Sequence, residues 1–313
     1  MSISKEIERL QQAKKDIGDA IVRKGGSVSG TIDTYAKSVM ALGDVSFRTA
    51  IDIVNKSDAK NVDLTMISPK NETSLIGLFH NNTNLININA TNWDTSKVTN
   101  IRSLFGGCTS LVSVECADWD TSNVTIFYAA FDGLKSLKNV DISKWDTSKA
   151  TTFDWFFSNN NSLTQLDVTN LKTQNCSTFY SMFSDCHSLA QLDVSNFDMA
   201  NATICTYMFG YCVSITTLDI SNFDLSKVKN ISNMFKRTVK LATLKTTNLK
   251  LPNIDMSNIG FYESPLSVDS IVGLLNALPQ SDKGYSFQIG SNNIAKLTDE
   301  QKAIATNKGW TLI

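Results

Sequence analysis

The chain has 313 residues, 42% of them hydrophobic, and a formal net charge of −1 at pH 7. This length permits a large core, and the nearly balanced charge provides no basic surface of the kind that binds nucleic acid. The sequence contains no run of about 18 apolar residues, so it predicts no membrane insertion.

Residues 1–43 are predicted to form a helical segment for attachment or oligomerisation. Charges recur every few positions, and the apolar stretch of a secretory signal peptide is absent. Apolar residues at alternating steps of four and three indicate a helical seam with one lysine in it. Its apolar members are Ile3, Ile7, Leu10, Ile17 and Ile21. A second short helix is expected over 32–42. The pair could also cover one end of the next region, and the two roles are compatible. Residues 44–58 are interpreted as a linker.

From residue 59 to 262 the chain repeats every 26 residues. One column of phenylalanines keeps this spacing without a slip: Phe79, Phe105, Phe131, Phe157, Phe183, Phe209, Phe235 and Phe261. A second column holds Trp93, Trp119, Trp145, Leu171, Phe197, Phe223 and Leu249. A fixed period of this length is typical of a stacked-repeat solenoid, and both columns are predicted to lie in its core.

Each repeat is predicted to contain a strand, a tight turn and a short helix. In the copy at 188–198, Leu192 and Val194 alternate with polar residues, as in a half-buried strand. In the second half of another copy, Val228, Ile231 and Phe235 follow helical or 3₁₀ spacing. These elements together predict an α/β solenoid of the leucine-rich type.

Residues 263–313 break the period and are predicted to form a C-terminal cap. A helix is expected from Ser267, and the run from Thr298 to Gln301 is a capping box that opens another helix. Gly309 would end that helix, and residues 310–313 would form a last strand. Solenoids need atypical terminal units because the end of their core would otherwise be exposed.

The repeat phrase Leu-x-x-Leu-Asp-Ile/Val-Ser-x-Trp/Phe-Asp-Thr-Ser-x-Val-Thr resembles the BspA-like leucine-rich repeats of bacterial surface proteins. The resemblance covers residues 59–262 and implies a repeat array that presents a surface for recognition. The pattern departs at 171–174 and at 249–252, where Leu-Lys-Thr-Gln and Leu-Lys-Leu-Pro stand in place of the Trp-Asp-Thr-Ser turn. These two turns therefore need not match the others.

The pattern from Ile7 to Ala36 is similar to N-terminal segments of phage tail and baseplate-associated proteins. This resemblance implies a virion protein, assembled in the host cytoplasm as a tail fibre, tail-tip or receptor-binding component. The implied partners are other tail or baseplate proteins through the N-terminal helices, a host surface glycan or protein, and further copies in a homotrimer. The alternatives are a purely structural virion protein without a host ligand and a bacterial cell-surface adhesion protein.

The sequence predicts no enzyme, no cofactor and no metal site. Its two histidines, His80 and His187, lie just after repeat phenylalanines and form no catalytic spacing with other residues. Carboxylate pairs set by the fold stay possible in principle. The six cysteines include no CxxC pair and are interpreted as reduced core residues, since free cysteine is among the most buried residue types.

One acidic column is the candidate binding site. We call it the carboxylate ladder: Glu115, Asp141, Asp167, Asp193 and Asp219. Parallel strands about 4.8 Å apart would align these side chains on the exposed strand face, beside the polar residues Gln165, Gln191 and Thr217. One interpretation is a track for cations or basic ligands. The alternative is that each carboxylate accepts hydrogen bonds from neighbouring backbone or hydroxyl groups as part of the repeat.

Overall fold

The computed structural model of the chain describes residues 46–313. The two helices predicted within residues 1–43, with the seam from Ile3 to Ile21, lie outside the described residues. Helix α1 (Phe47–Lys56) begins at Ser46, whose side chain accepts a hydrogen bond from the Thr49 amide. Its buried face packs on the first coil, and Phe47 meets Trp93 edge-on with ring centroids 5.1 Å apart. Most of the stretch interpreted as a linker, residues 44–58, is therefore a packed helix. Phe47, Ala50, Ile51 and Val54 stand at i, i+3, i+4 and i+7, so the helical period was present in the sequence and was overlooked.

The first half of the coils contributes short parallel strands. Strands β1 (Asn61–Asp63), β2 (Asn87–Asn89) and β3 (Ser113–Glu115) form one sheet, and β4 (Thr217–Asp219) pairs with β5 (Thr243–Lys245) in another. The register pairs equivalent residues of successive repeats, such as Val62 with Ile88. The predicted half-buried strand with a one-repeat register is thus confirmed in these five coils.

The coils between β3 and β4 keep the burial pattern but lack regular strands. In the copy at 188–198, Leu192 and Val194 are buried while Gln191 and Asp193 are exposed, yet no strand forms there. The strands elsewhere are only three residues long. Each of these strands is held by few backbone hydrogen bonds. A small shift between coils therefore breaks the strand pairing without changing which side chains are buried.

The second half of each coil is a ribbon of successive turns, which we call the turn ribbon, and not the continuous helical or 3₁₀ stretch that was predicted. In the copy at 228–235, the Met234 amide donates to the Ile231 carbonyl, three residues back, over 3.2 Å. The next amide, that of Phe235, donates to Ile259 of the following coil over 3.0 Å. This alternation between bonds within and between coils replaces the continuous i→i−4 bonding of an α-helix.

The turn ribbon places two residues of each coil in the left-handed backbone region, four positions apart. The first column is Gly77, Ser103, Ala129, Trp155, Ser181, Tyr207 and Asn233; the second is Asn81, Gly107, Gly133, Asn159, Asp185, Tyr211 and Arg237. Positive φ is costly for residues with a Cβ atom. The hydrogen bonds to the neighbouring coils hold this conformation in place.

The core runs through the stack without interruption, as predicted. All eight phenylalanines of the first column are buried, and adjacent rings lie 4.3 to 6.3 Å apart. Trp119 of the second column is buried, and its Nε1 donates to the Ala90 carbonyl over 2.9 Å. All six cysteines are free and buried, which agrees with the interpretation as reduced core residues. The Cys108 thiol donates to the Phe79 carbonyl, and burial raises its pKa to about 12.

Residues beyond the last repeat pack on its open end. A 3₁₀ helix (Phe261–Glu263) precedes helices α2 (Val268–Ala277), α3 (Ser291–Ile294) and α4 (Asp299–Thr306). Strands β6 (Ser286–Phe287) and β7 (Thr311–Leu312) pair in parallel. The predicted N-cap at Ser267 and the capping box at Thr298 are both present, and Gly309 follows α4 with φ +80. Within α2, the Ser270 hydroxyl accepts a hydrogen bond from the Leu244 amide of β5 over 2.9 Å.

Candidate functional site

The candidate site is the exposed side of the strands and of the equivalent residues in the coils between them, which we call the strand face. Alternation along each strand turns one apolar side chain into the core and its two polar neighbours outward. Because the repeat is constant, outward side chains of successive coils fall into straight columns. Register pairs Asn87 with Ser113 and Asn89 with Glu115, which places the start of the carboxylate ladder beside a column of amides and hydroxyls.

Part of the carboxylate ladder lies in a shallow groove of about 620 Å³. The groove brings together four of the predicted residues, namely Glu115, Asp141, Gln165 and Asp167. The remaining predicted residues continue the same columns one or two coils further on and do not line this groove: Gln191, Asp193, Thr217 and Asp219. A second, smaller groove lies toward the first coil and shares Ser113 and Glu115 with the larger one.

Each aspartate of the ladder folds back on its own coil. Oδ1 of Asp167 accepts hydrogen bonds from the amide and the hydroxyl of Thr169, at 2.9 and 2.6 Å. Asp193 repeats this arrangement with Ser195, at 3.0 and 2.6 Å. These bonds close an Asx turn at the end of the strand position. They hold the pKa of Asp167 below its usual range, because they stabilise the charged form. The interpretation in which the carboxylates accept local hydrogen bonds is therefore confirmed for one oxygen of each aspartate.

The second oxygen of these aspartates is the part of the ladder that remains for a ligand. Within residues 46–313, Oδ2 of Asp141, Asp167 and Asp193 has no hydrogen-bond partner in the protein. The ladder changes at its far end, where Lys245 lies 3.3 Å from Asp219. Burial would raise the pKa of Asp219, but hydrogen bonds from Ser221 and Lys245 lower it overall. Among the described residues, Asp141, Asp167 and Asp193 in the middle of the strand face form no ion pair, although the charge of Lys144 helps to lower the pKa of Asp141.

The strand face can accept hydrogen bonds and attract cations. His80 and His187 lie on the turn ribbon, away from the ladder. In the part of the chain that the structure describes, no group of three or more histidine, cysteine, aspartate or glutamate side chains is placed to hold a metal ion. No helix found between residues 46 and 313 is long and apolar enough to cross a membrane.

Sequence reasoning missed a second set of surface residues on the turn ribbon. Tyr128, Asp154, Trp155 and Tyr180 are all half-buried and neighbour one another in successive coils. The aromatic residues are visible in the sequence at steps near the repeat length. Sequence reasoning assigned only the phenylalanine column of this segment to the core and made no prediction for Trp155 or the tyrosines.

The fold and the strand face define a class: a parallel-stacked repeat protein that presents columns of polar side chains at one-repeat intervals. A family model described as "Mycoplasma protein of unknown function, DUF285" matches residues 73–192 and 154–264, which together span 73–264. More than half of the chain lies in this span, and the chain belongs to this family. The membership agrees with the resemblance to BspA-like leucine-rich repeats.

Comparison with solved structures finds repeat proteins at low identity. TLR13, in the crystal structure of a TLR13–ssRNA13 complex, is 13% identical with a TM-score of 0.28 over 84% of this chain, which spans 45% of the TLR13 chain. An LRR protein of Leptospira interrogans is 11% identical with a TM-score of 0.19, over 86% of this chain and 98% of its own. No curated protein sequence matches the chain.

Proposed function

We propose that this protein is a non-enzymatic recognition protein that binds a basic protein surface through the carboxylate ladder. The observation that carries the proposal is the ladder itself: aspartates in register, each held by an Asx turn on one oxygen and open on the other. Holding the carboxylates in place before binding reduces the entropy lost on association. A rigid row of acceptors therefore favours recognition over a purely structural role.

A basic protein partner fits the charge of the strand face better than a neutral glycan. Stacked coils place carboxylates about 4.8 Å apart, and unit charges at that distance repel by about 1 kcal/mol in water. In agreement with this, the neighbouring Asp141 charge acts to raise the pKa of Asp167, against the stronger effect of the Thr169 hydrogen bonds. Lysine or arginine side chains of a partner would relieve that repulsion, whereas hydroxyl groups of a glycan would not.

The experiment is calorimetric titration of the full chain with a penta-lysine peptide at low and high salt. We expect the double variant Asp167→Asn/Asp193→Asn to bind about five- to tenfold more weakly, since each exposed charge pair is worth about 0.2–1 kcal/mol. The matched control is Asp120→Asn/Asp198→Asn. Asp120 and Asp198 also accept an amide two residues on, but they lie at the following corner of the coil. Equal weakening by both variants would show general charge attraction and contradict the proposal.

We propose two alternative locations for this recognition protein, a phage tail and a bacterial cell surface. A phage tail component rests on the N-terminal resemblance, in residues outside the described part, with attachment to tail proteins and a homotrimer as its consequences. A bacterial surface adhesion protein rests on the resemblance to BspA-like repeats of bacterial surface proteins; the family description names a bacterial genus, Mycoplasma, and no function. Mass spectrometry of density-purified virions and of cell-surface fractions separates them. Detection in virions at a low multiple of three copies supports the first, and detection only at the cell surface supports the second.

A further inference from the structure

The turn ribbon carries a row of aromatic and charged side chains on the side of the coil formed by residues 76–81 and their equivalents. One column in this row reads Arg102, Tyr128, Asp154 and Tyr180 in four successive coils. Backbone hydrogen bonds between the coils fix the column. The Ala129 amide donates to the backbone carbonyl of Asp154 over 2.9 Å, and the Trp155 amide donates to the backbone carbonyl of Tyr180 over 2.8 Å. The positions of these side chains are therefore set before any ligand arrives.

The protein's own cations cover the aromatic rings at both ends of this row. The Arg102 guanidinium lies over the Tyr128 ring, 4.4 Å from its centroid. At the other end, Tyr207 and Tyr211 stack with centroids 6.3 Å apart, and Lys236 Nζ lies 5.9 and 5.8 Å from the two rings. A cation over an aromatic face is attracted by the negative charge of the π system. Both ends of the row use this interaction.

The middle of the row has rings but no cation. Trp155 and Tyr180 pack with centroids 5.3 Å apart and are both half-buried. Among the residues that the structure describes, no lysine or arginine lies over either ring. The two rings differ in this respect from Tyr128 on one side and from the Tyr207–Tyr211 pair on the other.

Asp154, which precedes Trp155 in the chain and shares a column with Tyr180, has no cationic partner among the described residues. Oδ1 of Asp154 accepts a hydrogen bond from the backbone amide of Tyr180 over 2.7 Å, which ties the carboxylate to the coil that carries the tyrosine. Asp154 forms no ion pair within residues 46–313, although aspartates on other faces do. Burial raises the pKa of Asp154, and hydrogen bonds from the Tyr180 amide and from the side chains of Thr178 and Thr152 lower it only in part.

We propose that Asp154, Trp155 and Tyr180 form a binding site for an organic ammonium group. The ring faces would attract the cation, and the carboxylate would neutralise its charge. The same carboxylate disfavours anions, and a neutral ligand would leave it uncompensated. The site lies on the turn ribbon, so it is separate from the carboxylate ladder and does not depend on the function proposed for the strand face.

The test titrates the full chain with choline chloride, with n-butylammonium chloride and with 3,3-dimethylbutan-1-ol, a neutral analogue of choline with nearly the same shape. We expect an ammonium compound to bind and the alcohol to bind at least several-fold more weakly. Preference for choline would indicate a quaternary headgroup as the natural ligand, and preference for n-butylammonium a lysine-like amine. Absence of binding by both ammonium compounds, or equal binding of the alcohol, would overturn the proposal.

Two variants and one control locate the site. Trp155→Ala is expected to weaken ammonium binding about tenfold, the upper part of the range for one cation–π contact. Asp154→Asn keeps the oxygen that accepts from Tyr180 and removes only the charge, so it tests electrostatics with little risk to folding. Tyr207→Ala removes a ring that Lys236 already covers and should leave the ammonium affinity unchanged. Unchanged affinity in both Trp155→Ala and Asp154→Asn would place the ligand elsewhere.

The pH dependence gives an independent readout. The pKa of Asp154 is raised, so the carboxylate gains a proton at a higher pH than an ordinary aspartate does. Ammonium affinity should therefore be full well above that pKa and fall as the pH drops through it. The Asp154→Asn variant should show a flat profile over the same range. A wild-type profile as flat as that of the variant would contradict a role for the carboxylate.

Discussion

At the scale of single residues, Asn170 shows how one side chain replaces another in the repeat. In coils with tryptophan, the indole N–H donates to a buried carbonyl of the coil before, as Trp145 does to Cys116 over 2.9 Å. Leu171 stands at the tryptophan position of the next coil and has no donor. The side-chain amide of Asn170 reaches the equivalent carbonyl, that of Ile142, over 2.8 Å. The sequence departure at 171–174 is thus compensated by its neighbour.

We expect Asn170→Ala to lower the free energy of unfolding by about 1 kcal/mol, because the Ile142 and Trp145 carbonyls both lose the side-chain amide of Asn170 as a donor, while Ile142 keeps the Trp145 backbone amide. Within residues 46–313, Oδ1 of Asn170 is itself buried without a partner, and removing it keeps the loss near that value. Urea denaturation measures the change. The control is Lys144→Ala, one repeat earlier, where Trp145 supplies the donor. A larger loss in the control than in Asn170→Ala would refute this account.

At the scale of elements, the corner of the coil is held by charge pairs that cross from one coil to the next. Lys172 lies 3.2 Å from Asp146, and Lys250 lies 2.7 Å from Asp224. Both lysines belong to the two segments that depart from the usual Trp-Asp-Thr-Ser turn. Thr173 also keeps the bond that other corner threonines make to the next coil, at 2.9 Å to the Asp198 carbonyl. The two segments without the usual turn sequence therefore stack on their neighbours, and each of their lysines pairs with an aspartate of the coil before.

The Asp224–Lys250 pair predicts a pH-dependent contribution to stability. Burial alone would raise the pKa of Asp224, but hydrogen bonds from Lys250 and Ser226 lower it to about 2. A lowered pKa means that the stabilisation is complete above the ordinary aspartate pKa of about 3.9 and is lost as the pH falls toward about 2. The pair is partly exposed, so it contributes at most about 1 kcal/mol.

We expect Lys250→Gln to reduce stability at pH 7 and to differ little from the wild type near pH 2. Denaturant titrations at several pH values measure this difference. The control is Lys240→Gln, an exposed lysine for which no ion pair is found between residues 46 and 313. A stability difference for Lys250→Gln that stays constant from pH 7 to pH 2 would show that charge is not the cause.

At the scale of the whole molecule, one hydrophobic core extends from Ile51 in α1 to Trp310 near the C-terminus. Each coil buries its apolar residues only against its neighbours, so a stack of this kind depends on whatever packs on its two ends. Residues 264–313 supply that packing at the far end, through buried residues such as Leu266, Ile271 and Leu274.

We expect deletion of residues 264–313 to abolish soluble folded protein, because Phe261 and Leu244 would then face water. Soluble yield and thermal melting by circular dichroism test this. Leu274→Ala in the full chain is the milder comparison and should cost about 2–5 kcal/mol while leaving the chain folded. A truncated chain that melts cooperatively at the temperature of the full chain would refute a stabilising role for the C-terminal residues.

The turn ribbon marks the limit of what the sequence could predict. Apolar residues recur there every three or four positions, as Val228, Ile231 and Phe235 do. A ribbon of turns repeats every four residues, close to the 3.6-residue period of an α-helix, so burial alone does not separate the two. The distinction lies in backbone bonds to the next coil and in positive φ at residues such as Trp155 and Tyr207. Both arise from tertiary contacts.

The sequence by itself determined the period, the core columns and the candidate ladder, because a repeat of constant length must place equivalent side chains in register whatever the details of each coil. Only the tertiary structure decided how the polar groups of that framework are used. It tied one oxygen of each ladder aspartate into an Asx turn and left the other open. It also left Trp155 and Tyr180 half-buried and packed on each other, and it tied the Asp154 carboxylate to the Tyr180 amide. Hydrogen-bond partners and exposure depend on neighbouring coils, and no single repeat contains them.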